Sequence, residues 1–139
     1  MDYKRLIKTL KRHEGYRKHP YVDSVGVLSV GIGRNLKDVG ISELEAETLL
    51  MHDIEIATED AMKIFDDFTE IDSVRQEVIV NMIFNLGAER FSGFRKTIQY
   101  IKEKDYENAS REMLNSKWAK QVGPRAMELS EMMRSGEIL

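Results

Sequence analysis

Residues 14–35 read Glu-Gly-Tyr-Arg-Lys-His-Pro-Tyr-Val-Asp-Ser-Val-Gly-Val-Leu-Ser-Val-Gly-Ile-Gly-Arg-Asn. An acid, Glu14, opens the stretch. A second acid, Asp23, follows nine positions on, and a hydroxyl, Ser29, six positions after that. Upstream, Tyr3, Leu6, Ile7 and Leu10 recur at helical spacing, with Lys4, Arg5, Lys8, Lys11 and Arg12 on the other side. This pattern predicts a helix over Met1–His13 that stops at Glu14-Gly15, since glycine is a favoured helix terminator. The carboxyl end of a helix favours the neutral form of an acid, which is the form able to donate a proton.

Past Glu14 the pattern changes. Tyr21 and Val22 suit a strand, Asp23-Ser24-Val25-Gly26 carries turn chemistry, and Val27 to Ile32 alternates. The alternation predicts Leu28, Val30 and Ile32 on a core face, and Val27, Ser29 and Gly31 on an open one. Asp23 and Ser29 would together hold and activate one water, while Glu14 gives its proton to a leaving oxygen. That is the two-carboxylate chemistry of an inverting glycoside hydrolase. Gly31-Ile32-Gly33 does not make a dinucleotide loop, because Leu36 stands in place of the third glycine and no helix opens there.

Glu-x8-Asp-x5-hydroxyl followed at once by Val-Gly-Ile-Gly resembles the catalytic signature of bacteriophage-type lysozymes, glycoside hydrolase family 24. The family usually has threonine where this chain has Ser29, and often histidine where it has Arg34. The resemblance implies an ion pair between Arg34 and Asp53. It covers nearly the whole chain, from Glu14 to the segment 121–128.

Composition suits such a protein. The chain has 139 residues, 42% of them hydrophobic, which is enough for one domain with a core. It has no cysteine, so neither disulfides nor thiol chemistry enter. The charged N-terminus, with Asp2, Lys4 and Arg5, does not read as a signal peptide, and no apolar run is long enough to span a membrane. The net charge of −3 is unevenly spread. Residues 1–36 carry net +5, 37–72 net −10 and 88–125 net +4. Two basic segments would flank a site for an anionic polymer, and the acidic block reads as a solvated helix face. The acidic balance and the lack of a recognition motif argue against nucleic acid. His13, His19 and His52 lack the spacing of a zinc site, so no metal is expected.

Further along, Ser42-Glu43-Leu44-Glu45 reads as a capping box. It opens a long helix whose apolar face runs through Leu50, Ile54, Ala57, Ala61, Ile64 or Phe65, and Phe68. Val74–Leu86 predicts a helix apolar almost all round, Phe94–Lys104 and Tyr106–Asn115 two shorter ones, and Pro124 the start of a last helix. Trp118 at helical spacing reads as a core anchor, and Met127, Leu129 or Met132, and Met133 as core.

The resemblance implies an α+β, lysozyme-like fold: a small antiparallel β-sheet lobe and a larger α-helical lobe, joined by a long helix with a cleft between. As a single catalytic domain over 1–139, the lobes would be about 14–42 (β), 43–68 (bridging helix), and 1–13 with 69–139 (helical). The short connection 36–41 makes it a compact version. The implied reaction is hydrolysis of the β-1,4 bond between N-acetylmuramic acid and N-acetylglucosamine in peptidoglycan, inverting, for phage-mediated lysis. Glu14, Asp23 and Ser29 are the implied catalytic residues. Asn35, Phe84, Asn85, Thr97, Glu112 and Arg125 are the implied substrate contacts, with Phe84 on a sugar ring, Asn85 near the acid and Arg125 facing it. The implied partner is the glycan strand of peptidoglycan, with no cofactor, no stable membrane insertion and a monomeric chain. The enzyme would be made in the host cytoplasm and reach the wall through a membrane pore. Two rivals remain: a lytic transglycosylase that uses Glu14 alone, and a catalytically inactive cell-wall-binding protein.

Overall fold

The computed structural model describes residues 1–139 and divides them into two compact units, Met1–Leu49 and Leu50–Leu139. Their architecture is α+β: mostly helical, with one three-stranded antiparallel sheet.

The first unit opens with helix α1, Tyr3–Glu14. Asp2 caps it by accepting from the Arg5 backbone N–H at 3.0 Å, which satisfies one of the otherwise orphaned donors of the first turn. At the other end the Gly15 N–H closes on Lys11 O at 2.9 Å, so Glu14 is the last helical residue. The sheet follows in the order β1 (Arg17–Val22), β2 (Leu28–Gly31), β3 (Arg34–Asn35). Ser29 is central in its register: it faces Tyr21 on one side and Asn35 on the other.

The expected core face of Leu28, Val30 and Ile32 is not the covered one: Val30 is only half-buried, as are Val27 and Gly31. Ser29 is the buried residue, 3% exposed, whereas Leu28 and Ile32 are 44% and 39% exposed. Ser29 lies on the middle strand, flanked on both sides, and a small side chain there is covered by its neighbours. Leu28 stands at the hairpin end of β2, where its partner Val22 is itself exposed.

Helix α2, Glu43–Ile64, opens in the first unit, and the division falls within it. The capping box forms as its sequence predicts. Glu45 N–H donates to Ser42 Oγ at 3.1 Å, and Ser42 N–H donates to Glu45 Oε1 at 3.0 Å.

The second unit holds the core. Ala57 and Ala61 of α2, then Phe65 and Phe68 beyond its end, are buried as the apolar stripe predicts; Leu50 stays exposed. Helix α3 (Ser73–Leu86) contributes Val78, Ile79, Met82 and Ile83. It is less apolar all round than expected, because Asn81, Phe84 and Asn85 face outward. A short α4 (Ala88–Ser92) buries Phe91. Then come α5 (Arg95–Lys102), α6 (Tyr106–Leu114), α7 (Lys117–Val122) and α8 (Pro124–Ser135). Phe65, Phe91, Phe94 and Trp118 form a chain of ring contacts with centroids 6.2–6.3 Å apart, the spacing at which edge and offset arrangements are favourable. Trp118 is buried, as its helical spacing suggests. Leu129 and Met133 close the core from α8, but Met127 is 62% exposed and does not. Its position on α8 turns it outward, beside the groove lined by Leu114, Ala119 and Pro124.

Candidate functional site

Glu14, Asp23, Ser29 and Asn35 all lie in the first unit. Glu14 is exposed at the tip of α1, and its side chain lies on the turn between β2 and β3. An ideal Cβ built on Gly33 would stand 2.8 Å from Glu14 Oε2, 3.0 Å from Cδ and 3.1 Å from Cγ. The absent side chain at residue 33 therefore makes the space that the carboxyl occupies.

Asp23 sits in the tight turn between β1 and β2. Its Oδ1 accepts from Val25 N–H at 2.9 Å and from Val27 N–H at 2.8 Å. Its own N–H donates to Val27 O at 2.9 Å. One carboxylate oxygen is thus anchored by the backbone, and Oδ2 is left without a protein partner. Ser29 Oγ donates to that same Val27 O at 3.3 Å, a long bond. Asp23 and Ser29 are therefore tied to one residue, Val27, through its N–H and its carbonyl. Neither Glu14 nor Asp23 is in an ion pair; the five in the molecule involve other carboxylates.

Asn35, expected to touch substrate, has its amide engaged locally. Nδ2 donates to Asp38 Oδ2 at 3.1 Å, and Oδ1 accepts from Asp38 N–H at 2.9 Å. The partner of Arg34 is Glu45 and not the expected Asp53. Arg34 Nη2 donates to Glu45 Oε2, and Nη1 donates to Gly40 O at 3.0 Å. Glu45 uses its other oxygen in the capping box. Hydrogen bonds first from Arg34 and then from Ser42 hold its carboxyl well down, at about 2. The capping box signalled that Glu45 would be turned back toward the helix start. Nothing local signalled that its second oxygen would meet Arg34, because that contact depends on the path of the 36–41 connection.

Phe84, Asn85, Thr97, Glu112 and Arg125 lie in the second unit. Thr97 and Glu112, fifteen residues apart, share one depression of about 370 Å³ with Phe94, Arg95, Lys96 and Asn115. Thr97 is 2% exposed, yet it lines this hollow. Arg95, Lys96 and Asn115 were not singled out from the sequence. Phe84 and Arg125 line a second, more apolar groove of about 540 Å³ with Leu50, Ile54, Phe68 and Asn81. There Arg125 is fastened to Asn81: Nε and Nη2 both donate to its Oδ1, at 3.1 and 2.7 Å. Asn85 accepts from the Trp118 indole Nε1 at 2.7 Å. The five residues thus fall in three places of the second unit. Thr97 and Glu112 come together, as do Phe84 and Arg125, while Asn85 belongs with Trp118.

The first unit therefore carries two unpaired carboxyls and a hydroxyl on a helix tip and a hairpin, and the second carries hollows lined by aromatic, hydroxyl and amide groups. Known proteins are similar to this chain. Its sequence is 26% identical over 158 aligned positions to "Probable T4-type lysozyme 2" of Dictyostelium discoideum, covering 93% of each chain. It is 28% identical over 110 positions to "Endolysin" of Salmonella phage P22, covering 75% of each. A third match, 28% over 125 positions, is to "Peptidoglycan hydrolase gp36" of Pseudomonas phage phiKMV, covering 86% of this chain and 14% of that protein. The family profile described as "Phage lysozyme" matches residues 11–134, from the last turn of α1 to the end of α8, and on that match the chain belongs to the phage lysozyme family.

Proposed function

We propose that this glycosidase hydrolyses the β-1,4 bond between N-acetylmuramic acid and N-acetylglucosamine in peptidoglycan, with inversion, and serves phage-mediated lysis. Glu14 is the proton donor. It protonates the bridging oxygen as the bond to the anomeric carbon breaks. A water held by Asp23 and Ser29 attacks that carbon from the other face, and Asp23 takes the proton it releases. One water is consumed: one fragment ends in a reducing N-acetylmuramic acid, and the other begins with an N-acetylglucosamine whose 4-hydroxyl is restored.

The observation that carries this reading is the state of Asp23. Backbone N–H groups fix one of its oxygens and leave the other unpartnered and free to accept from a water. Ser29 is tied to the same residue.

Substrate contacts are proposed from Phe84, Thr97, Glu112, Asn115 and Arg125. The hollow around Thr97 and Glu112 combines an aromatic ring, a hydroxyl and an amide, the usual components of a sugar subsite. Asn85 would contribute only its free amide N–H groups, since its carbonyl is taken by Trp118. No helix is long and apolar enough to cross a membrane; passage to the wall through a separately made pore is part of the proposal.

Mass spectrometry of digested peptidoglycan tests the reaction. Muropeptides ending in a free reducing muramic acid are expected. Products lighter by one water, the 1,6-anhydro form, would make the chain a lytic transglycosylase. No soluble products at all, with the protein sedimenting on the walls, would make it a binding protein.

A further inference from the structure

We infer that Gly33 is a positioning residue for the catalytic proton: having no side chain, it leaves open the space in which the Glu14 carboxyl lies. The inference deepens the proposed reaction and rests on Glu14 being its acid. Three atoms at the working end of Glu14, Cγ, Cδ and Oε2, lie within 3.1 Å of where a Cβ on residue 33 would be. An approach of 2.8 Å is one that carbon and oxygen do not tolerate, so any side chain there must displace the carboxyl. The α1 backbone is fixed by its Gly15 cap, so the displacement falls on the Glu14 side chain. The fold can survive that movement; proton delivery cannot, because an acid must lie within hydrogen-bond reach of the leaving oxygen.

Gly33 has φ +68, a conformation that favours glycine for backbone reasons alone. The chain supplies its own control. Gly31, two residues earlier, has the same φ of +68 and nothing within 4 Å of its ideal Cβ. Gly31→Ala therefore introduces the backbone strain without the clash, and Gly33→Ala introduces both.

The test compares wild type, Gly31→Ala, Gly33→Ala and Glu14→Gln by thermal melting, and by kcat and KM on purified peptidoglycan across pH. Both alanine variants are expected to melt lower by similar amounts. Gly31→Ala is expected to lose markedly less kcat than Gly33→Ala, because it adds the strain and leaves the Glu14 carboxyl where it is. Gly33→Ala is expected to lose about a hundredfold in kcat, the scale set by misplacing a catalytic group by an ångström, with KM nearly unchanged and the alkaline limb of its pH profile, where the acid loses its proton, moved. Equal kcat in the two alanine variants, with Glu14→Gln inactive, overturns the positioning role alone. Full turnover by Glu14→Gln overturns the reading of the acid. If Gly33→Ala does not fold, the same substitution is made in the Glu14→Ala chain. Recovery of folding there supports the contact, and failure in both backgrounds assigns the glycine to the backbone and overturns the inference.

Discussion

The Trp118 indole N–H donates to the Asn85 carbonyl at 2.7 Å, tying the start of α7 to the end of α3. Trp118 is otherwise enclosed, with its ring edge against Phe94. Asn85→Ala would leave that N–H without a partner and is expected to lower stability by about 1–2 kcal/mol. Asn85→Asp keeps an acceptor and should cost less than half as much. Urea midpoints measure both; equal losses would mean that the bond contributes nothing.

Arg75 makes a second long-range clasp. Its guanidinium lies 3.7 Å over the Tyr106 ring and donates to Met133 O at 2.7 Å and Arg134 O at 2.9 Å. It caps the last carbonyls of α8 from the first turn of α3. A lysine has neither the planar fork nor the stacking face. Arg75→Lys is expected to cost about 1–2 kcal/mol in urea unfolding and leave kcat per folded molecule unchanged, since those free carbonyls lose a fixed donor.

The Glu45 carboxyl sits at about 2 in the folded protein, against an ordinary value of 4.5. Between those values the unfolded chain binds more protons than the folded one, so stability rises with pH there. The contribution of Glu45 is therefore fully present above about pH 4.5 and fades as pH falls toward 2. Glu45→Gln should melt below wild type at pH 7, and the gap should close across that window. The effect is modest because the pair is exposed and screened. A gap that stays constant from pH 7 to pH 2 would contradict the assignment.

Asp23→Asn separates turn from chemistry. An asparagine Oδ1 can still accept from Val25 and Val27, so the hairpin should survive and the melting temperature should stay within about 2 °C, less than the shift expected for a loss of 1 kcal/mol. Turnover should fall by at least about a hundredfold, the usual scale for losing a general base. Retained turnover with a retained melting temperature would remove Asp23 from the reaction.

The parts of the molecule that depend on near neighbours in sequence were legible. The caps at Ser42 and Glu45, the end of α1 at Glu14-Gly15, the proline opening α8 and the stripe through Ala57, Ala61, Phe65 and Phe68 all follow from spacing and local hydrogen bonding. What failed depends on which neighbour comes back from far along the chain. Alternation in β2 could not say which side chains would be covered: Ser29 is buried, Leu28 is exposed, and Val30 and Gly31 are both half-buried. Arg34 found Glu45 because the 36–41 connection returns α2 toward the sheet. Met127 was placed inside because one helical turn separates it from truly buried positions. In the candidate site, Glu14, Asp23 and Ser29 were singled out by their order. The close approach of Glu14 to Gly33 was not, because no sequence pattern reports where a flexible side chain comes to rest.

The central claim is that Glu14 supplies the proton. Its most direct measurement is the release of soluble muropeptides from purified peptidoglycan by Glu14→Gln, beside wild type, with both shown folded by circular dichroism. Glutamine keeps the size and polarity of the side chain and removes the proton. The account predicts that Glu14→Gln retains the wild-type melting curve and releases muropeptides at less than about one part in a hundred of the wild-type rate. Release at the wild-type rate by a folded Glu14→Gln would contradict it.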